Sequence, residues 1–473
     1  MTTRADDHIV PPAGADGLIS SEQFRRIVDR VLTLSQGQHT FIALQDTNTG
    51  TTRVANNQIV QNVNTRRLSL AVTLAFGQQH ATVTVTDFGD ESIDALVRRA
   101  TEIARLSPVD PEYVPPLSPQ DYAEIHTLQR DTAGTSPSQR IDLAIEAVNR
   151  CQAEHVTAAG IVATSLTVAG VAADSGLFAY EPRTEARFSL TAMAGNASGW
   201  AANVHRSLDR LAALERTRLA VEKAKRSANP AELPPGRYTV ILEPAAVAGL
   251  VGPMAWMLDA KSFYKRTSPF AGKLGRVVID QRLSLLNRPD HPGLLGNGFN
   301  GDGLPADARV WIENGVLKQL RYDRFTAQEQ HVYPTPSLDA PVLSGMLPRT
   351  DTLGERADAN ATEVSGLRTD ESIEALISGT ERGILVSNFW YIRTVNPTDL
   401  TLTGMTRDGT FLIEDGRIVG PVVNFRWHDS PLRALTQIEA FTAPMDAVSN
   451  ENWKMQLPAM RIRDFNFSSV TRF

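Results

Sequence analysis

Two patterns of apolar spacing take turns along the N-terminal half of the chain, and this alternation limits the fold more than any other feature. Near Phe24, and again after Asp90, apolar residues recur every three or four positions, as on one face of a helix. From Leu68 to Phe76 they instead alternate with polar or small residues, which is the period of a strand. The same order of helix, strands and helix returns between positions 137 and 228. We therefore predict helix-flanked antiparallel sheets in the N-terminal half.

Local signals sharpen this prediction. Ser20 with Gln23 makes a capping box for the first helix, and Ser136 is the predicted N-cap of a helix over residues 137–155. The segment TNTG at residues 47–50 is predicted to be a turn between two strands. The predicted buried stripe of the 137–155 helix comprises Ile141, Ala144, Ile145, Val148, Cys151 and His155.

The C-terminal half carries mostly strand signals. Asn314-Gly315 and Asp415-Gly416 each stand between β-forming residues, and such pairs favour type I′ hairpins. The fold class predicted for the whole chain is α+β, with a β-rich C-terminal domain. The predicted divisions are a flexible lead-in at 1–19, an N-terminal α+β domain at 20–112, a Pro-rich linker at 113–136, a central α+β domain at 137–228 and the C-terminal β-rich domain at 229–473.

Composition excludes several classes of function. The net charge of −6 and the pI near 5.9 give no electrostatic footprint for nucleic acid or an anionic membrane. The longest apolar run, from Ala245 to Leu258, is too short to cross a bilayer. The first residues contain no apolar signal segment, and a single cysteine, Cys151, fits a reducing compartment. A cytoplasmic location is therefore expected.

Two short motifs have weak support. Gly296, Gly298 and Gly301 reproduce the spacing of a dinucleotide fingerprint, but a strand-like segment follows where a helix is required, so a plain mobile loop is predicted. Ser262 and Lys265 match the S-x-x-K pattern of serine acyl-enzymes, although no Lys-Thr-Gly segment accompanies them. Chemistry at Ser262 and Lys265 remains an open alternative.

The histidines do not form a local metal motif. Even the closest pair, His126 and His155, is far apart in sequence, whereas a zinc peptidase helix needs two histidines one turn apart. A dispersed site assembled from His291, His331 and His428 with carboxylates also remains open. Cys151, on an apolar helix stripe, is predicted to lie in the core.

The chain resembles the TldD/PmbA (TldD/TldE) family over about residues 20–470. The segments that carry the resemblance occur in one consistent order: TTRVANNQIVQNV, FGDESIDALVRRATEIARLSPVDP, PGRYTVILEP, KSFYKRTSPFAGKLG, FNGDGLPADARVWIENGVLKQLRYDRFTA and ISGTERGILVSNFWYIRTVNP, followed by LTLTGMTRDGTFLIEDGRIVGPVVNFRW. The resemblance implies proteolysis of unfolded peptides by a TldD–TldE heterodimer. The family's older name, modulator of DNA gyrase, is historical.

The resemblance also implies which kind of subunit this is. TldD-type chains carry an HExxxH helix after the strand that corresponds to residues 236–243, and a cysteine nearer the C-terminus completes their zinc site. Here residues 253–258 read PMAWML at about that place, and the C-terminal region has no cysteine. The chain is thus most similar to the TldE/PmbA type, for which the resemblance implies no catalytic and no metal-binding residues, with zinc on the partner subunit. Whether this chain is an enzyme by itself stays open.

The helix in question is apolar on nearly every side, which is typical of a buried helix. Met254, Trp256 and Met257 are the residues predicted to contact a partner or a groove, because Met and Trp often anchor interfaces. The expected partners are a TldD-type zinc peptidase subunit and an extended peptide bound by strand addition. The alternatives are a hydrolase in its own right and a stand-alone peptide-binding protein.

Overall fold

The computed structural model describes residues 17–345, 372–449 and 453–471. Within these ranges the helices are α1 Ser21–Leu34, α2 Asp90–Leu106, α3 Arg130–Ala133, α4 Pro137–Ala153, α5 Ala213–Arg226, α6 Pro244–Trp256, α7 Ala260–Tyr264, α8 Arg324–Glu329, α9 Ile373–Ser378 and α10 Pro431–Ala434, with one 3₁₀ turn at Leu208–Arg210. The predicted caps are confirmed, since Ser20 with Gln23 and Ser136 with Gln139 both form capping boxes.

The strands form three sheets. In chain order they are β1 His39–Ala55, β2 Gln58–Phe76, β3 Gln79–Val85, β4 Thr157–Ala173, β5 Phe178–Ala194, β6 Ala197–His205, β7 Gly236–Leu242, β8 Leu283–Asn287, β9 Arg309–Glu313, β10 Val316–Leu317, β11 Pro341–Gly345, β12 Arg382–Asn396, β13 Thr401–Glu414, β14 Arg417–Pro421, β15 Phe425–Asp429, β16 Ile438–Phe441, β17 Met445–Val448, β18 Lys454–Leu457 and β19 Met460–Val470. The α+β prediction, with antiparallel sheet first and a β-rich C-terminal half, is confirmed.

The N-terminal half is built on one antiparallel sheet of six strands in the order β3-β2-β1-β4-β5-β6. Its two halves come from the two helix–strands–helix units, and they meet where β1 pairs with β4. The linker predicted at 113–136 therefore separates two units that share a single sheet. Helices α1, α2, α4 and α5 cover one face, and their apolar sides form two core clusters with it. The other face turns toward the C-terminal half.

Strand β1 runs straight through residues 47–50, so the predicted turn there is wrong. These residues pair with β2 on one side and with β4 on the other. Gly50 is required for close packing rather than for a turn, because a Cβ placed on it would lie 2.2 Å from the central guanidinium carbon of Arg140. The polar composition of this segment had suggested a loop, but a central strand can carry such residues when both edges are paired.

The buried face of α4 also differs in part from the predicted stripe. Ala144, Val148 and Cys151 are buried as predicted, and burial raises the pKa of the Cys151 thiol to about 11, as expected for an inert core cysteine. Ile145, however, is 43 % exposed, and His155 lies beyond the end of the helix. Arg140 is buried instead, and its Nη2 donates a hydrogen bond of 2.5 Å to the side chain of Asn64.

The C-terminal half contains a closed barrel of five strands. Strand β12 pairs with β7, β7 with β19, β19 with β15, β15 with β13, and β13 pairs again with β12. The β12–β7 pair is parallel and the others are antiparallel. Aromatic rings fill the interior, and among them Phe389 and Phe465 stack with centroids 5.6 Å apart. No sheet edge remains where the ring of pairings closes, which removes a site for unwanted strand addition.

A second, six-stranded sheet in the order β10-β9-β8-β11-β18-β17 lies beside the barrel. Both predicted hairpins are confirmed: Asn314 and Gly315 link β9 to β10, Asp415 and Gly416 link β13 to β14, and all four residues have positive φ. Across the described ranges, no helix combines the length and apolar character that a membrane span requires.

Candidate functional site

Helix α6 lies between the barrel and the second sheet, at the position that the resemblance assigns to a zinc-binding helix. Strand β7 leads into it, and Pro244 occupies its first turn, where a missing N–H costs nothing. Glu243, just before the helix, is held by an ion pair of 2.5 Å with Lys223 of α5. The helix packs against β12, β17, β18 and α10. An apolar surface on every side suits this buried location.

One face of α6 carries only small residues. Ala245, Ala248, Gly249 and Gly252 follow one another at helical spacing and line a groove. Gly249 has no spare room, since a Cβ on it would lie 2.8 Å from the end of the Ile392 side chain. The small residues thus let β12 approach closely and leave space above the helix. The resulting groove has a volume of about 660 Å³.

Aromatic side chains form the remaining walls of this groove. Trp390 and Tyr391 of β12 stand on one side, and Trp256 meets Trp453 edge to face at 6.3 Å at the end. Tyr391 has a φ of +52°, and the pairing of β12 with β13 shifts register there, so two successive aromatic residues both reach the surface. We refer to the small-residue face of α6 with these walls as the aromatic groove.

The charge in the aromatic groove is positive. Arg393 is the charged side chain among its described lining, and its guanidinium lies 4.2 Å from the centroid of the Tyr391 ring. Arg407 makes a similar contact with Trp390 at 4.5 Å. Such an arrangement offers apolar surface and cation–π contacts. Among the described lining residues it offers no pair of a nucleophile and a base.

The three predicted contact residues have different environments. Met254 is completely buried in the main core of the C-terminal half, so it is a packing residue and not a surface contact. Trp256 is 72 % exposed at the end of α6, and Met257 is half-buried beside it. Both line the aromatic groove. That Trp256 and Met257 contact a partner subunit, or a molecule bound in the groove, stays a prediction.

Residues 253–258 do not suit a zinc ion. Zinc in proteins is bound by cysteine sulfur, histidine nitrogen or carboxylate oxygen, and this segment of α6 and the turn after it carries none of these. Over the described residues, no three side chains of His, Cys, Asp or Glu stand close enough together to hold a metal. No reaction step through zinc can be assigned to the residues of α6.

Ser262 lies in a helix cap rather than in a catalytic pair. Asp259 is the N-cap of α7, and its Oδ2 accepts hydrogen bonds from the backbone N–H of Ser262 (2.9 Å) and from its hydroxyl (2.8 Å). An ion pair with Arg321 at 2.8 Å holds Asp259 in place. Burial alone would raise the pKa of the Asp259 carboxyl, but the hydrogen bonds from Ser262 and the contacts with Arg321 outweigh it, and the pKa is lowered. Lys265 is exposed at the other end of α7. This geometry favours a structural role for Ser262.

The histidines of the alternative metal site occupy separate environments. His291 is half-buried and its Nδ1 accepts a hydrogen bond of 3.1 Å from the backbone of Gly293. Burial lowers its pKa, so it is neutral at physiological pH. His331 is exposed just after α8, and His428 is exposed on β15. The described structure does not gather them into one cluster.

The glycine-rich loop has a structural role that the sequence did not indicate. Strand β9 follows it, so it lacks the helix of a dinucleotide-binding turn. It is not a free loop either, contrary to the prediction. Gly298 donates its backbone N–H to Glu181 of β5 at 2.8 Å, and Arg206 donates to the carbonyl of Gly296 at 2.6 Å. The loop joins the C-terminal half to the N-terminal sheet.

The aromatic walls were not predicted from the sequence. Trp390 and Tyr391 are adjacent, and a regular strand would point one of them into the barrel. Only the backbone irregularity at Tyr391 brings both to the surface. Trp453 is distant from α6 and β12 in the sequence, so its approach to Trp256 depends on the tertiary fold. The adjacent aromatic pair followed by Arg393 was the available signal.

Comparison with known proteins gives matches along the whole order of elements. Models of the PmbA/TldA metallopeptidase family match in sequence: domain 1 at residues 42–104, the central domain at residues 130–228 and the C-terminal domain at residues 235–469. A curated relative, a metalloprotease of Methanothermobacter thermautotrophicus, is 23 % identical over 228 residues, which are 46 % of this chain and 45 % of that protein. That match spans less than half the length of the relative.

Two solved structures share the fold over nearly the full chain. TldE from Thermococcus kodakarensis has a TM-score of 0.81 at 18 % identity and covers 94 % of this chain and 99 % of its own. A protein of Thermotoga maritima described as a candidate modulator of a DNA gyrase has a TM-score of 0.77 at 19 % identity, with coverages of 94 % and 100 %. At these identities the likeness concerns the fold.

Proposed function

Because the chain belongs to the PmbA/TldD metallopeptidase family, we propose that it is the non-catalytic subunit of a heterodimer with a TldD-type zinc peptidase acting on unfolded peptides. The observation that carries the proposal is the apolar segment 253–258, which has no zinc ligand and lies at about the place where the resemblance expects HExxxH. The partner would supply the zinc and the general base. This chain would complete the enclosure around the substrate in the cytoplasm.

The aromatic groove supports a contact with peptide. Its volume of about 660 Å³ lies within the usual range of ligand sites, and flat rings accept apolar side chains of varied sequence. A groove of this kind recognises an extended backbone and scattered apolar side chains rather than a particular sequence. This low selectivity suits unfolded polypeptides. Arg393 adds a positive charge at the rim that favours segments with acidic residues.

The test is co-expression with a TldD-type chain that contains HExxxH, followed by gel filtration, zinc analysis and assay on an unfolded protein such as casein. We expect a one-to-one complex that contains one zinc ion and cleaves casein. We expect this chain alone to contain almost no zinc and to leave casein intact. The matched control replaces the glutamate of the partner's HExxxH by glutamine, which should preserve the complex and abolish cleavage.

Two results would contradict the proposal. Zinc bound stoichiometrically to the isolated chain would assign it a metal site of its own and favour the hydrolase alternative. Failure to associate with any TldD-type chain, together with binding of casein by the isolated chain, would favour a stand-alone peptide-binding protein.

A further inference from the structure

A second cleft lies on the opposite side of the molecule's N-terminal sheet from its helices. Its floor is formed by residues 43–45 of β1 and by the parts of β2 and β4 that pair with them. Its walls come from β5 and from two segments of the C-terminal half, residues 297–306 and 336–339. It encloses about 400 Å³. The aromatic groove and this cleft have no lining residue in common. We call it the interdomain cleft.

The floor of the interdomain cleft is low because its side chains are short. In one cross-strand row, Ala43 pairs with Ala71 of β2 and with Val171 of β4. In the next row, Gln45 stands between Ser69 and Ala169, both short. Side chains opposite one another in a sheet usually fill the space above it. Here they leave room for a small molecule.

Two groups of opposite charge line this space without neutralising each other by contact. Arg183 of β5 is partly buried, and it makes no hydrogen bond or ion pair with any described residue. Asp339 lies on the facing wall, and its Oδ1 is buried without a hydrogen-bond partner in the described ranges. The side-chain hydrogen bond from Asn297 to its other oxygen is long, at 3.4 Å.

The wall around Asp339 is rigidly built. Its backbone carbonyl accepts a hydrogen bond of 3.1 Å from the Trp453 indole N–H. Asn297 accepts a hydrogen bond of 3.2 Å from Arg206, which is itself buried and bonded to the carbonyl of Gly296. An unpaired buried carboxylate oxygen costs stability. A buried polar atom without a partner in a native structure calls for an explanation, such as a function of the residue that carries it.

We propose that the interdomain cleft binds a small zwitterion, a free amino acid or a very short peptide, with its carboxylate on Arg183 and its ammonium group on Asp339. A guanidinium pairs well with a carboxylate, and an ammonium group pairs with the carboxylate of Asp339, which lines the cleft and has no ion pair with a described residue. A lone anion would meet Asp339, and a metal cation would meet Arg183. A ligand that carries both charges can pair with Arg183 and with Asp339 at the same time.

This proposal does not depend on the proposed function, because it concerns the isolated chain and a different set of residues. It is chemically related, however. Every peptide bond that a peptidase cleaves yields one new carboxylate and one new ammonium group, so short products of extensive cleavage are zwitterions of this class.

The first experiment uses the wild-type full chain and isothermal titration calorimetry with alanine, dialanine and trialanine. We expect at least one of them to bind, and the preferred length separates a free amino acid from a short peptide. N-acetylation or C-terminal amidation of the preferred probe should each weaken binding about tenfold or more, since each removes one charge-assisted contact. No binding of any probe up to about 10 mM, or equal binding of the capped forms, would overturn the proposal.

The second experiment assigns each charge to its residue. In Arg183→Gln, amidation of the probe should no longer weaken binding, while acetylation still does; in Asp339→Asn the pattern should reverse. Arg98→Gln and Asp29→Asn, which change exposed residues on α2 and α1, are matched controls that should keep wild-type affinity. If both variants still bind the acetylated probe and the amidated probe more weakly than the uncapped probe, the ligand must bind elsewhere. Thermal melts verify that each variant is folded. If one variant is not folded, the titrations of the wild-type chain with capped and uncapped probes still test the proposal.

Discussion

Asp339 illustrates how a single residue can carry information that no sequence pattern contains. Burial raises the pKa of its carboxyl to about 6. Hydrogen bonds from the backbone and the nearby positive charges of Arg206 and Arg183 offset only part of this effect. The residue belongs to an ordinary loop segment, SLDAP, and its environment is created by Asn297 and by a strand from the other half of the chain. Its role could therefore not be predicted from the sequence.

The raised pKa of Asp339 predicts a pH-dependent stability. Between the ordinary value of 3.8 and about 6, the folded chain binds a proton that the unfolded chain has released, so this residue's contribution to stability falls as pH rises through that window. Asp339→Asn removes the effect. We expect the variant to be close to wild type near pH 4 and to exceed it by about 3 kcal/mol at pH 7.5 in urea unfolding. Asp29→Asn is the exposed control, and a difference independent of pH would contradict the assignment.

Gly50 and Arg140 are a second example of residues whose environment cannot be predicted from the sequence. Glycine in a polar stretch indicates a turn in most sequences. Here it provides the space in which the Arg140 guanidinium lies against the backbone of β1. Neither residue alone signals this, because Gly50 and Arg140 are far apart in the sequence.

At the scale of elements, helix α6 was predictable in character but not in detail. Its uniform apolar surface predicted burial, and the helix is buried along most of its length. The periodicity could not distinguish Met254, which faces the core, from Trp256, which emerges at the helix end. Caps and hairpin turns were predictable because each depends on neighbouring residues, whereas the aromatic groove depends on a register shift in β12.

Substitutions of Met254 and Trp256 are expected to affect different properties, stability in the first case and association in the second. Met254→Ala should destabilise the isolated chain by about 2–5 kcal/mol, because it opens a cavity in the core. Trp256→Ala should leave the midpoint of urea unfolding nearly unchanged and weaken association with a TldD-type subunit by about 2 kcal/mol or more, as an interface anchor would. Chemical denaturation and a binding titration measure the two effects. Equal association of Trp256→Ala and wild type would remove Trp256 from the interface.

At the scale of the whole molecule, polar contacts hold the two halves together. The Lys454 ammonium group of β18 is completely buried, donates a hydrogen bond of 2.6 Å to Asn203 of β6, and pairs with Asp446 at 2.7 Å. Ser198 of β6 donates a hydrogen bond of 2.6 Å to Asp408 of β13. Because these two hydrogen bonds join residues from opposite halves of the sequence, their pairing could not be predicted from spacing.

Lys454 provides the corresponding prediction. Lys454→Ala leaves Asn203 and Asp446 without their shared donor, and we expect a loss of about 3 kcal/mol in the free energy of unfolding. Lys265→Ala, which removes an exposed lysine, should change it by less than about 0.5 kcal/mol. Guanidinium unfolding followed by tryptophan fluorescence measures both. Similar midpoints for the two variants would mean that the buried ion pair contributes little to the junction.

The closed barrel has a consequence for how the chain is made. Strand β7 is flanked in the barrel by β12 and β19, but β7 ends at Leu242 whereas β19 begins only at Met460. During synthesis, the N-terminal sheet has all its strands once His205 has left the ribosome, but β7 must wait for β19. Until β19 has been synthesised, the apolar residues of β7 lack their barrel neighbours and can aggregate. Contacts between residues so distant in sequence also form slowly. Translation in a cell-free system, with limited proteolysis of stalled chains, should give a protected N-terminal fragment long before the barrel resists digestion.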